Sequence, residues 1–354
     1  MRTWRSRRAD RGSFLGSPLT PLLHSRVRGA CRICRHPHRM TAPRQCARAL
    51  PPALVSASLP MPLRDVLIAL AVVAIWGLNF TVIKLSIAEL PPLLSAALRF
   101  FFAAVPIVFF IPRPRAPWLL VAGYGLFMAC SLYALLNLAL FLGLSASFAS
   151  LALQVQAMFT IAIAFFVFGE VPRRLQIVGG LVAFGGIGVI AWGHGTGGQL
   201  LPLAILMAAA LSWGIANNIS KLAGSIPMLP FVAWGNMLGS IPLFALSFTF
   251  EGGPAIFSYI DPPSWNAVML VAFLAYPATL FGFTMWSGLL SRHSAATVAP
   301  FTLLVPMAGI SSGVLILGEP IFAADVAGGV LIFIGLILTV ARIRPRQVPI
   351  NPGA

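Results

Sequence analysis

VLIALAVVAIWGLNFTVIKLSI, residues 66–87, runs for 22 positions with Lys84 as its only charge. Hydrocarbon offers the backbone no hydrogen-bond partner, so only helices and closed barrels cross a bilayer, and a helix needs roughly 20 apolar residues to do so. A barrel strand would alternate apolar and polar positions, and this stretch does not. It reads as a transmembrane helix. Nine further stretches of the same kind follow, over 93–111, 118–140, 146–168, 177–192, 201–216, 228–250, 266–290, 295–317 and 324–340. The expected fold is an all-α integral membrane protein with ten transmembrane helices.

Loop charge orients them, because Lys and Arg near span ends stay on the cytoplasmic side. Arg64, Arg113 with Arg115, Arg173 with Arg174, Lys221, Arg292, and Arg342 with Arg344 and Arg346 all fall on one side of the expected membrane. The opposite loops, 87–92, 143–145, 193–199, 251–265 and 318–323, contain neither Lys nor Arg. Both termini are therefore expected in the cytoplasm.

Composition agrees, at 58% hydrophobic and 9% charged over 354 residues. The net charge of +16 is unevenly spread. Residues 1–60 hold 12 of the 24 basic residues and a single acid, Asp10, leaving 12 basic against 7 acidic residues, a net +5, in the remainder. Half of the positive charge thus lies outside the spans, and no nucleic-acid partner is expected. The leading segment has no sustained apolar period, and Met61 reads as a natural start. Residues 1–60 are then an upstream extension that is not made, a disordered basic tail, or an Arg-rich targeting leader. Cys31, Cys34, His36 and His38 in that segment have zinc-like spacing, but a closed site needs a fold around it, and no metal is expected. Cys46 and Cys130 complete no disulfide framework.

The ten stretches divide into two halves that resemble each other: 61–199 and 200–346, followed by a tail at 347–354. Trp76-Gly77 precedes Lys84 with Asn79 between, and Trp213-Gly214 precedes Lys221 at the same spacing with Asn217 and Asn218 between. Phe168-Gly169-Glu170 matches Leu317-Gly318-Glu319, each followed nine residues after the glutamate by paired glycines, Gly179-Gly180 and Gly328-Gly329. Pro106 and Pro242 also correspond. Matches in one order favour a duplication. Five being odd, the second half enters the membrane reversed, giving two inverted five-helix repeats, an architecture suited to alternating access around a central site.

These residues resemble the EamA branch of the drug/metabolite transporter superfamily, and within it the O-acetylserine/cysteine exporters, over residues 61–344. The likeness is carried by IWGLNFTVIK at 75–84, PPLL and LRF at 91–94 and 98–100, LQVQAMFT at 153–160, FGE at 168–170, SWGIANNISK at 212–221 and VAPFTLLVP at 298–306. The resemblance implies export of amino acids or related metabolites across a bacterial inner membrane. A multidrug or nucleotide-sugar carrier of the same fold is the alternative.

Polar side chains within spans are costly unless they meet partners or a cavity, so they mark candidate pathways. Arg99 lies about 12 Å below the outer end of the second span, where its guanidinium suits a substrate carboxylate. Bonding to helix carbonyls is the structural reading of the same residue. Asn79, Gln154, Gln156, Asn217 and Asn218 suit hydrogen bonds to an amino acid, with Trp76 and Trp213 as walls, although amides also join helices. Gln154 and Gln156, two apart, face different ways.

Lys84 and Glu319 fall at the outer side and Glu170 and Lys221 at the inner, one from each repeat. They are expected to form two gating pairs, with unpaired interfacial anchors as the competing reading. Gly179, Gly180, Gly185, Gly186, Gly328 and Gly329 are expected to bring helices close together. The spans contain no phosphate-binding loop and no dinucleotide fingerprint. With His194 and His293 both in loops, no enzyme activity and no cofactor are expected. The partners are a small amino-acid-like substrate and membrane lipid. Proton antiport, exchange and facilitated efflux all fit the sequence.

Overall fold

The apolar stretches fold as helices throughout the computed structural model, which describes residues 61–193, 200–224, 226–260, 262–293 and 295–340. Cys31, Cys34, His36, His38, Cys46, His194, Arg342, Arg344 and Arg346 lie outside the described residues. Among the described residues, eight helical stretches are long and apolar enough to cross a bilayer: α1 (Leu63–Glu89), α3 (Trp118–Phe141), α4 (Ala146–Phe168), α5 (Arg174–Gly193), α6 (Leu200–Leu222), α7 (Met228–Phe250), α8 (Trp265–Arg292) and α9 (Pro300–Leu317). Two shorter apolar helices, α2 (Pro92–Val108) and α10 (Ala323–Thr339), take the second and tenth positions. Full crossing length is thus met by eight of the ten expected spans.

The outer surface is apolar, unlike that of a water-soluble domain. Phe110, Phe166, Leu119 and Leu315 are more than 80% exposed, whereas Ala69, Ala97, Ala149, Ala209 and Ser95 are fully buried. Lipid tails are as apolar as leucine, so large side chains gain little by turning inward, and small ones are needed where backbones approach. Trp118, Trp192 and Trp265 stand exposed at helix ends, where an indole suits the headgroup level.

Exchanging the two halves preserves the main helix pairings. Helix α1 packs on α9 as α6 packs on α4; α2 packs on α7, and α5 on α10. Helix α3 contacts α6 and α7 as α8 contacts α1 and α2. Both α3 and α8 carry a π-helical segment, Gly125–Ser131 and Leu274–Phe281. Helix α4 tightens to a 3-10 turn at Leu153–Val155, and α9 is interrupted by a turn at the equivalent place, 303–304. These irregularities free backbone groups around one central volume.

Helix α6 continues six residues past the expected end at Ala216. Asn217 and Asn218 do not stop it, because their amides find partners on α4. Asn217 Nδ2 donates to Gln156 Oε1 (2.9 Å) and Thr160 Oγ1 (3.1 Å), and Asn218 Nδ2 donates to Gly214 O (2.8 Å) and Thr160 O (3.1 Å). Of the expected packing glycines, Gly328 does close work, an added Cβ running into Gly186 O, and so do Gly186 and Gly179. A Cβ on either would stand 2.5 Å from a carbonyl oxygen of α10, that of Gly328 and Gly335 respectively. Gly185 faces open space, Gly180 touches Met158 and Gly329 touches Leu151.

Candidate functional site

Side chains from α1, α2, α3, α4, α6, α8 and α9 converge on a cavity of about 170 Å³. Six of the eight residues expected to bind substrate line it: Trp76, Asn79, Arg99, Gln154, Gln156 and Trp213. Asn217 and Asn218 do not; they join α6 to α4 as described. Gln156 does both, lining the cavity while accepting from Asn217.

Arg99 is the eighth residue of α2 and only 2% exposed. Its Nε donates to Thr279 Oγ1 at 3.0 Å and its Nη2 to Tyr133 Oη at 3.3 Å. The guanidinium carbon lies 4.3 Å from the Tyr133 ring centroid, a cation–π arrangement. Thr279 belongs to the π-helical segment of α8 and itself donates to Leu274 O (2.8 Å). The remaining nitrogen, Nη1, is buried with no partner. Among the described residues, no Asp or Glu lines the cavity. Arg99 is therefore braced by two hydroxyls and the rings of Tyr133 and Phe100, with its Nη1 group left for an incoming acceptor.

Trp76 is fixed next to Arg99's anchor. Its Nε1 donates to Ala278 O (3.0 Å), a carbonyl of the same π-helical segment, and its ring packs on Phe283 and Trp286. Tyr133 and Thr279 were not anticipated from the sequence. A Tyr hydroxyl in an apolar helix needs a partner, and that was the available signal for Tyr133. Nothing local marks Thr279, which becomes important only because α8 widens around it.

The four charged residues expected as gates meet in two pairs. Gly169 and Gly318 end α4 and α9 in the left-handed conformation, at φ 69° and 65°. In each, the following glutamate N–H bonds back six residues, Glu170 to Ala164 O and Glu319 to Gly313 O, a left-handed glycine cap one residue wider than the Schellman motif. The caps turn both glutamates back toward lysines of the neighbouring helices. Lys84 Nζ donates to Glu319 Oε1 at 2.8 Å, and Lys221 Nζ pairs with Glu170 Oε1. Lys221 also lies over the Phe168 ring, 4.6 Å from its centroid.

The pairs differ in setting. Glu319 has a side chain only 7% exposed and also accepts from Ala146 N (2.7 Å), Ser147 N (2.9 Å) and Ser147 Oγ (2.6 Å), satisfying the free N–H groups at the start of α4. Burial acts to raise its pKa, but the bonds from Lys84, the Ser147 hydroxyl and the two backbone N–H groups outweigh it and hold the carboxyl below its ordinary range. Glu170 is 55% exposed, with Lys221 at 46%. The two pairs sit at opposite ends of α4, whose 23 residues span about 35 Å. A second cavity, about 250 Å³, borders Lys84 and Glu319.

Both halves of the chain match the sequence model of the EamA-like transporter family, at residues 63–192 and again at 200–341. A protein of Salmonella typhimurium called a probable amino-acid metabolite efflux pump is 37% identical over 295 residues, covering 81% of this chain and 98% of its own length. An Escherichia coli protein of the same description is 36% identical over 293 residues, again covering 81% and 98%. An uncharacterized inner membrane transporter of Escherichia coli is 23% identical, covering 80% of this chain and 92% of its own. One solved crystal structure, 20% identical, superposes with a TM-score of 0.53 over 78% of this chain and 95% of its own, a likeness of fold.

Proposed function

The chain belongs to the EamA-like transporter family, and from that premise we propose that it exports small amino-acid metabolites, cysteine or O-acetylserine among them, across a bacterial inner membrane by alternating access. Arg99 carries the reading: a buried guanidinium with an unpartnered donor, in a cavity without a carboxylate, suits a substrate carboxylate. Size supports it too. A cavity of roughly 150 Å³ takes a benzene-sized molecule, whereas drug-sized ligands occupy about 300–1,000 Å³. The 170 Å³ here weighs against a multidrug or nucleotide-sugar substrate. In everted vesicles carrying the chain, radiolabelled cysteine and O-acetylserine are expected to accumulate saturably. Absence of uptake by inserted protein overturns the reading.

On the proposed topology, with both termini cytoplasmic and the halves inverted, Lys84–Glu319 is the outer gate and Lys221–Glu170 the inner one. Transport then needs each to open in turn. Exposed ion pairs contribute about 0.2–1 kcal/mol, so the inner pair yields first, while the outer pair is held by four donors. Because the Glu319 carboxyl sits below its ordinary 4.5, the charged pair is fully present above that value and is lost only as pH falls through the lowered one. In a background free of native cysteines, Lys84→Cys with Glu319→Cys is expected to cross-link and arrest transport, and outer-gate accessibility in the wild type to stay flat from pH 8 to about 5. Transport that continues with the cross-link in place rules the gate out.

A further inference from the structure

We infer that Asn79 is the amine-recognising residue of the central cavity, so that Asn79 and Arg99 together select α-amino acids in their zwitterionic form. The inference rests on the export reading above and deepens it. Among the described residues, five buried side-chain atoms have no hydrogen-bond partner: Asn79 Oδ1, Arg99 Nη1, Asn137 Oδ1, Asn218 Oδ1 and Trp234 Nε1. Only the first two line the central cavity. Asn137 and Asn218 spend their NH₂ groups joining helices, to Pro92 O and to Thr160 O and Gly214 O.

The two cavity orphans have opposite hydrogen-bond polarity. A guanidinium only donates, and an amide oxygen only accepts. Each sits on a residue at most 5% exposed, where an unsatisfied polar atom is costly and a ligand that satisfies it gains in proportion. A simple carboxylic acid would satisfy Arg99 and leave Asn79 Oδ1 bare. A simple amine would satisfy Asn79 but add a second positive charge to a cavity that already holds Arg99 and no acid. An α-amino acid presents an acceptor carboxylate and a donor ammonium on adjacent atoms, answering both at once with no net charge. The ring of Trp76, on the same helix as Asn79 and lining the same cavity, offers the ammonium an aromatic face. By the same electrostatics a dibasic amino acid is rejected, because its second cation meets no carboxylate.

The test compares uptake of serine, N-acetylserine and lysine by vesicles carrying the full chain. Wild type is expected to favour serine over N-acetylserine at least tenfold and to exclude lysine. Asn79→Leu, with Arg99 untouched, is expected to collapse the serine to N-acetylserine ratio about tenfold. Asn79→Asp, which keeps an acceptor oxygen and adds the missing negative charge, is expected to restore the preference for a free amine and admit lysine. Equal losses for serine and N-acetylserine in Asn79→Leu, together with unaltered lysine exclusion in Asn79→Asp, would make Asn79 structural and overturn the inference while leaving export standing. Failure of wild type to move any of the three overturns the export reading itself.

Discussion

Arg99→Lys is expected to lower amino-acid uptake at least 30-fold while leaving the protein inserted and monodisperse. The substitution keeps a positive charge in the cavity but removes the fork that bonds Thr279, Tyr133 and a substrate together. A lysine ammonium is a compact, strongly hydrated point charge on a flexible stem, and it does not reproduce bidentate or stacked guanidinium geometry. Truncating one member of a buried, hydrogen-bonded charge pair costs about 2–5 kcal/mol, which is about 30-fold or more in affinity. Arg99→Ala is expected to be at least as severe, since the substrate carboxylate would then be buried without a counter-charge. Initial uptake rates over a range of substrate concentrations provide the measurement. Full transport in Arg99→Lys would make the residue a general counter-charge, and full transport in Arg99→Ala would remove it from the pathway.

A second large effect is expected at the crossing of α5 and α10. Gly186→Leu and Gly328→Leu should each abolish most of the folded protein, because the new side chain points at backbone and not at a yielding side-chain tip. A Cβ at Gly186 already stands 2.5 Å from Gly328 O and 3.0 Å from Ile332 N, before the rest of a leucine is added. Overpacking a tight interior by a few methylenes costs about 1–3 kcal/mol, and here two helices must separate along their whole contact. Gly185→Leu and Gly188→Leu are the controls, as nothing lies within 4 Å of a Cβ at either position. Size-exclusion profiles of detergent-extracted fusions should show the controls as sharp peaks and the crossing variants as aggregate. Sharp peaks for all four would mean the helices part freely.

The helical architecture was legible because lipid imposes a simple demand, length and apolarity, that composition reports directly. The exceptions are instructive. Asn217 and Asn218 look like a helix end in one dimension, and only their partners on α4 show why α6 runs through them. The side of the membrane on which each span-end charge falls suggested both Lys–Glu pairs, and the structure adds the left-handed glycine before each glutamate. The cavity was legible in part. Trp76, Asn79, Arg99, Gln154, Gln156 and Trp213 betray themselves as polar or bulky residues in apolar helices, whereas Thr279 is placed by the π-helical widening of α8, which no nearby residue announces. Gly335 was missed although Gly328 lies seven residues before it, the spacing that separates Gly179 from Gly186.

That spacing makes the α5–α10 crossing self-complementary. Gly179 faces Gly335 and Gly186 faces Gly328, so each helix offers the other the same two notches in reverse order. A contact of this form is isologous, the kind found between the subunits of a two-fold dimer. One five-helix half therefore encodes the entire joint, and a gene for that half alone would specify adhesion between two copies of its product. Writing both copies into one reading frame replaces a concentration-dependent encounter by an intramolecular one. It also releases each copy to diverge, as the buried Glu319 and the exposed Glu170 already have.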